Sequence, residues 1–351
     1  MTRSVRAPLG LVLLLLSPPL WAADPAKDEL DTCLSCHGDK SLEKKLPGGE
    51  VARLHVDRAA FEKSVHGAKL GCTGCHPGYQ EIPHPDHPAK DLAAFTASFR
   101  ETCRSCHFAN YTKALDSVHF AALSAGNTAA PFCVDCHGAH DITKPNEPRT
   151  RISDTCSSCH SVEAEQYARS VHGKALAETN NPDVPVCTDC HRSHAIADAR
   201  TEAWRLKSPE TCGGCHTDIA RMGKYGLSTN VYRSYLDDFH GRSASLYSGQ
   251  KKAPQRVVAV CIDCHGVHDI ARVDEAGSKV LEKNLQATCA KCHPGAPPNF
   301  PAAWLSHYEP SPKRAPLVWA TALFYKILIP VMIGGLALQV LLHLWRVVVN
   351  R

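Results

Sequence analysis

Eighteen cysteines occur in this chain of 351 residues, and every one belongs to a Cys-x-x-Cys-His pentad. The pentads join Cys33 and Cys36 to His37, Cys72 and Cys75 to His76, Cys103 and Cys106 to His107, Cys133 and Cys136 to His137, and Cys156 and Cys159 to His160. The others join Cys187 and Cys190 to His191, Cys212 and Cys215 to His216, Cys261 and Cys264 to His265, and Cys289 and Cys292 to His293. Two nearby thiols followed by an imidazole could hold zinc, close a disulfide or take a haem. Structural zinc needs four ligands, so its cysteine knuckles come in pairs. Nine is odd, and zinc requires no histidine after each second cysteine. Disulfides suit an exported chain, yet they too place no demand on the next residue. The pentad is the attachment signature of c-type haem, whose vinyl groups the thiols take while the histidine ligates the iron. With no cysteine left over, the count is nine covalent haem c groups.

Haem iron has two axial positions, and the pentad fills one. Of 21 histidines nine are proximal, and His343 lies in an apolar C-terminal segment. His66, His119, His172 and His240 follow alternate pentads, His66 and His172 in Ser-Val-His-Gly, His119 followed by Phe120 and His240 preceded by Asp238-Phe239. His140, His194 and His268 stand three residues past the intervening pentads and are followed by x-Ile, and His307 comes last. The first module has Tyr79 at that place and offers His84 or His87 instead. One of these two and His55 are then spare, on a solvated surface. Methionine is the other common distal ligand and raises the potential; in the exported part only Met222 could serve. The expectation is mostly or wholly bis-histidine, low-spin, low-potential haem. The pairing of distal with pentad histidines stays open at this level.

The pentads form a repeat. Thr32, Thr102, Thr155, Thr211 and Thr288 precede the first pentad of each pair, and Asp135, Asp189 and Asp263 sit inside the second. Two-haem modules are expected at 30–88, 89–145, 146–200 and 201–275, with a half-module at 276–310. Helical composition in Tyr111–Leu123 and Ser161–Leu176, with few alternating stretches, predicts a mainly α and coil fold with little β. Porphyrins would supply the apolar surface that an aliphatic core supplies elsewhere.

Both ends point to export. Arg3, Arg6, the apolar run Leu9–Leu16 and Ala22-Ala23 read as a secretory signal over residues 1–22. Leu317–Leu342 is apolar apart from Lys326 and Gln339, long enough for one transmembrane helix, expected at 319–346 behind a proline-rich stalk at 311–318. Lys326 reaching for the outer interface would move the span towards Ile327–Trp345. Thioether formation is completed outside the cytoplasm, so the expected location is the periplasmic face of the bacterial inner membrane, single-pass, with residues 347–351 cytoplasmic. The formal charge of +4 is no sign of nucleic acid, because two propionates per haem outweigh it.

The succession Thr-Cys-x-x-Cys-His, Ser-Val-His-Gly, Cys-x-Asp-Cys-His-Gly-x-His-x-Ile resembles the periplasmic multihaem cytochromes of respiratory bacteria, including the class III-like family and the decahaem conduits. The resemblance covers nearly all of the exported part. It implies haems packed edge to edge that pass electrons without bond chemistry. The C-terminal anchor is more similar to multihaem subunits that work with a membrane cytochrome b. The partners so implied are such a cytochrome b or another quinol-oxidising subunit, and periplasmic or outer-membrane redox proteins. His343 near Trp345 and Arg346 would be either a haem ligand in that setting or part of an interfacial anchor. Self-sufficient quinol dehydrogenases carry their anchor at the N-terminus, unlike this chain. The competing reading is an oxidoreductase acting on nitrogen or sulfur oxyanions, which needs one haem with an open position. No Cys-x-x-Cys-Lys variant, the mark of nitrite reductases of that group, occurs here.

Overall fold

The computed structural model describes residues 25–350 except 68, 249–256, 304–306, 309 and 314. The expected signal at 1–22 lies outside the described residues. Short helices carry nearly all the regular structure, from Pro25–His37 to a long final helix at Pro316–Val349. Among the described residues the sheet is a two-stranded antiparallel ribbon, Glu43–Lys45 with Val51–Arg53, pairing Lys44 with Ala52. Gly49 closes its turn at φ +90°, where a side chain would be strained. The mainly helical, β-poor fold matches the expectation.

The chain divides into two compact units. One runs to Tyr111 and adds Pro131–Lys144; the other contains Thr112–Ala130 and everything from Pro145. The first holds four pentads and buries Leu30, Leu46 and Ala52. The second holds five, and its aliphatic cluster is small: Leu206, Tyr235, Ala244, Val258 and Val260. The Tyr235 hydroxyl donates to the Ala259 carbonyl at 3.0 Å, so the ring is buried without stranding its polar end.

The two stretches of helical composition are helical, each as two helices, and the break between them is chemical. Phe108–Leu115 and Val118–Ser124 are separate helices, as are Ser161–Arg169 and Val171–Thr179. Ser117 and Ser170 stand in extended backbone at the N-caps, accepting from the N–H groups of Phe120 (3.2 Å) and Gly173 (3.0 Å). Ser64 and Asp238 do the same for Gly67 (3.0 Å) and Gly241 (2.9 Å). An N-cap side chain satisfies a donor that the first turn leaves free. In each Ser-Val-His or Asp-Phe-His triplet the histidine therefore occupies the second position after the cap, on a turn of fixed direction.

The final helix has 34 residues, and none of those described is buried. At about 1.5 Å per residue it is about 50 Å long, against a bilayer hydrocarbon core of about 30 Å. It begins at Pro316, earlier than the expected 319, because proline at the first turn loses no hydrogen bond.

Candidate haem-binding sites

The second pentad of each of the last three modules opens a one-turn helix: Cys133–His137, Cys187–His191 and Cys261–His265. Its internal aspartate explains why. Asp135, Asp189 and Asp263 reach back to accept from the N–H groups of Phe132 (2.8 Å), Val186 (2.7 Å) and Val260 (2.8 Å). The first module has Gly74 in place of the aspartate, and Glu29 substitutes from a distant helix, accepting from Thr73 N–H at 2.5 Å.

Two arginines extend the motif. Arg149 donates to Asp189 at 2.5 Å and to the Val184 carbonyl at 3.0 Å. Arg205 donates to Asp263 at 2.6 Å and the Val258 carbonyl at 2.9 Å. Each ties the segment leading to one pentad to the turn of the next. Sequence reasoning passed over both arginines and Glu29. A usable signal existed, since Arg149 and Arg205 hold the same place before Cys156 and Cys212.

Successive pentads meet through their thiols. In the first unit Cys33 lies within hydrogen-bonding reach of Cys72, Cys75 lies beside Cys103 and Cys106, and Cys103 shares a hydrogen bond with Cys133. In the second, Cys156 pairs with Cys187, Cys190 neighbours Cys212 and Cys215, Cys212 pairs with Cys261, and Cys264 neighbours Cys289 and Cys292. Within each unit the spatial order of the pentads is thus their sequence order.

The histidines then pair, and apart from His37 with His84 they do so across module boundaries. In the first unit ring centres lie 6.1 Å apart for His37 and His84, 6.0 Å for His66 and His107, and 6.1 Å for His76 and His140. In the second they lie 6.1 Å apart for His119 and His160, 6.5 Å for His172 and His216, and 6.0 Å for His191 and His268. The last pairs, His240 with His293 and His265 with His307, stand at 6.4 and 6.3 Å. The spacing is diagnostic. Two imidazoles on opposite faces of one metal, each bonded at about 2 Å through nitrogen, have ring centres about 6 Å apart; stacked rings in direct contact would be closer. Each described Ser-Val-His or Asp-Phe-His histidine faces the first pentad of the following module, and His140 and His268 each face the second pentad of the preceding one. The remaining pentad histidine, His137, is in the first unit, and the remaining candidate, His194, is in the second.

Hydrogen bonds distinguish His84 from His87. His87 accepts from Ala89 N–H at Nδ1 (3.1 Å) and contacts the Ser98 hydroxyl through Nε2 (2.8 Å), so both its nitrogens are engaged. His84 stacks opposite His37. His55 stands near Asp39 and Asp57 and joins no described pair. Met222 is buried in its own short helix.

Neighbouring groups hold the rings in place. His37 Nδ1 meets the Leu54 carbonyl at 2.8 Å, which directs Nε2 towards His84. Phe99 packs edge-on against His76 at 4.9 Å, and Trp204 lies parallel to His191 at 5.4 Å. Val65 N–H donates to the Ile142 carbonyl at 2.8 Å, Val118 to Ile196 and Val171 to Ile270 at the same distance. One backbone bond therefore braces a Ser-Val-His histidine against a His-x-Ile histidine in three successive modules.

Burial pushes His172 and His265 down to about 4, and lowers His76, His119, His140, His191, His216, His268 and His307 by the same cause. The neutral imidazole so favoured is the form that binds metal. Adjacent thiol pairs, opposed neutral imidazoles and a chain with little aliphatic core all fit covalently held haem.

Comparison with known proteins points the same way. Residues 125–217 match the cytochrome c3 family. Over 208 residues the chain is 27% identical to the high-molecular-weight cytochrome c of Nitratidesulfovibrio vulgaris, covering 54% of this chain and 31% of that relative. The match thus spans about a third of the relative's length. No solved structure matches. Pentads, imidazole pairs and these two similarities together make the chain a multihaem c-type cytochrome.

Proposed function

We propose that the chain carries nine covalent haems, all with two histidine ligands, and relays electrons between a membrane quinol-oxidising or cytochrome b partner and periplasmic acceptors. The observation that carries this is the set of eight imidazole pairs at 6.0–6.5 Å, one for each of eight pentad histidines. Haem bound there supplies one-electron exchange between ferric and ferrous iron. The protein's own contribution is to fix both imidazoles, exclude water from the paired faces, and keep neighbouring groups in sequence order. A second imidazole opposite the pentad histidine leaves no position for a substrate, which supports relay over turnover of a small molecule. The apolar Pro316–Val349 helix supports attachment to a membrane beside a quinol-linked partner, with the haem part on the periplasmic side.

Two measurements test the reading. Intact mass of the purified, full-length protein should exceed the signal-free chain by nine haem masses. Carbon monoxide added to the reduced protein should leave the Soret band in place. A shortfall in mass would refute the count. A carbon monoxide shift matching one full haem would return the oxyanion-reductase reading.

A further inference from the structure

The imidazole pairs fall into two groups by the angle between their rings. Five are near-parallel: His265 and His307 at 17°, His37 and His84 at 23°, His191 and His268 at 30°, His119 and His160 at 31°, and His76 and His140 at 33°. Three are tilted: His172 and His216 at 52°, His66 and His107 at 56°, and His240 and His293 at 57°. No described pair lies between. In the tilted pairs the distal histidine is followed by glycine, at Gly67, Gly173 and Gly241. His119 belongs to the same sequence class, but Phe120 follows it, and its pair is near-parallel.

The backbone gives the reason. A Cβ built on Gly67, Gly173 or Gly241 would run into the carbonyl oxygen of Phe61, Tyr167 or Tyr235, the last turn of the preceding helix. Only glycine allows that approach. In these three modules a single residue, Ser64, Ser170 or Asp238, separates that helix from the cap's own turn. In the second module the junction has two residues, Asp116 and Ser117, between Phe108–Leu115 and Val118–Ser124. The longer junction accommodates the Phe120 side chain.

We propose that Gly67, Gly173 and Gly241 are positioning residues. Acting through the one-residue junction, they turn the distal imidazole out of the plane of its partner and so divide the haems into two electronic classes. The relative orientation of two axial imidazoles sets how the iron d-orbitals split. Crossed rings leave two of them nearly degenerate and give ferric haem a strongly anisotropic signal with a large maximum g-value. Parallel rings give an ordinary rhombic signal. The proposal rests on the bis-histidine reading above. His137 belongs to the second-pentad class, whose described members, His76, His191 and His265, are all near-parallel. The expected division is therefore three large-g irons and six rhombic ones.

Electron paramagnetic resonance of the fully oxidised, full-length protein tests this, with integrated intensities scaled to the haem count from mass. The large-g component should integrate to three irons. Gly173→Ala should lower it to two and raise the rhombic component by one, with total low-spin iron unchanged. Phe120→Gly combined with deletion of Asp116 recreates the short junction and should raise it to four. A wild-type spectrum with all haems low-spin and no large-g component overturns the proposal alone, whatever the variants do. An unchanged division in a variant that loads every haem overturns it as well. High-spin iron or missing haem mass in the wild type would instead strike the bis-histidine reading beneath it.

Discussion

Arg205 offers a sharp test of how the haem pairs are held together. Its side chain is 17% exposed, and its guanidinium bridges the helix that ends in the Cys212 pentad to the turn that begins the Cys261 pentad. Removing it in Arg205→Ala strands the Val258 carbonyl and leaves the half-buried Asp263 carboxylate with the Val260 N–H. Hydrogen bonds involving a charged group contribute about 1.5–3 kcal/mol each. The paired bonds to Glu202, three residues away on the same helix, add only about 0.5 kcal/mol. Allowing for the partly exposed carboxylate, we expect a loss of about 3 kcal/mol. Arg149→Ala breaks the same two kinds of bond at a more exposed site and should lose about 2 kcal/mol. Arg200→Ala, whose side chain is 85% exposed and bonded to Asp198 alone, should lose less than about 0.5 kcal/mol. Arg205→Lys keeps the charge without the planar fork, and should recover no more than about half of the loss. Guanidinium denaturation of the loaded protein, followed at the Soret band, reads all four. If Arg205→Ala proved no more costly than Arg200→Ala, the bridge would not be what couples the two pentads.

Further outcomes are expected. His84→Ala should convert one haem to a high-spin form that binds carbon monoxide, while His87→Ala and His55→Ala leave the visible spectrum unchanged; a spectrum that responds to His87 instead would reverse the assignment. His172, at about 4 when folded against 6.5 when free, takes its proton more readily in the opened state, so its stabilising influence is intact above pH 6.5 and declines as pH falls towards 4. Stability against guanidinium should therefore fall between pH 6.5 and 4, and a stability independent of pH over that range would refute the reasoning. Glu29→Gln weakens the acceptor for Thr73 N–H and should cost about 1 kcal/mol, measured by the same denaturation; no change would mean that Gly74 needs no substitute carboxylate. Truncation after residue 310 should move the protein from the membrane to the soluble fraction with its haem content unchanged, and continued membrane retention would dismiss the helix as the anchor.

The chemistry was legible in the sequence because it is local. Thiol spacing and the adjacent imidazole define each pentad without any fold, and an apolar run such as Leu317–Leu342 shows its character residue by residue. The module grammar also isolated His66, His119, His140, His172, His194, His240, His268 and His307 as a class, since serine caps and His-x-Ile turns recur in short windows. Which imidazole faces which was decided by the tertiary structure. His172 meets His216 in the following module, and His268 meets His191 in the preceding one, because backbone bonds such as Val171 to Ile270 brace turns that lie far apart in the chain. The same holds for the place of His84 opposite His37 while His87 bonds Ala89 and Ser98, and for Arg149, Arg205 and Glu29, whose partners lie dozens of residues away. Ligand type is a property of a side chain. Ligand pairing depends on the path of the backbone between two turns, and only packing fixes that path.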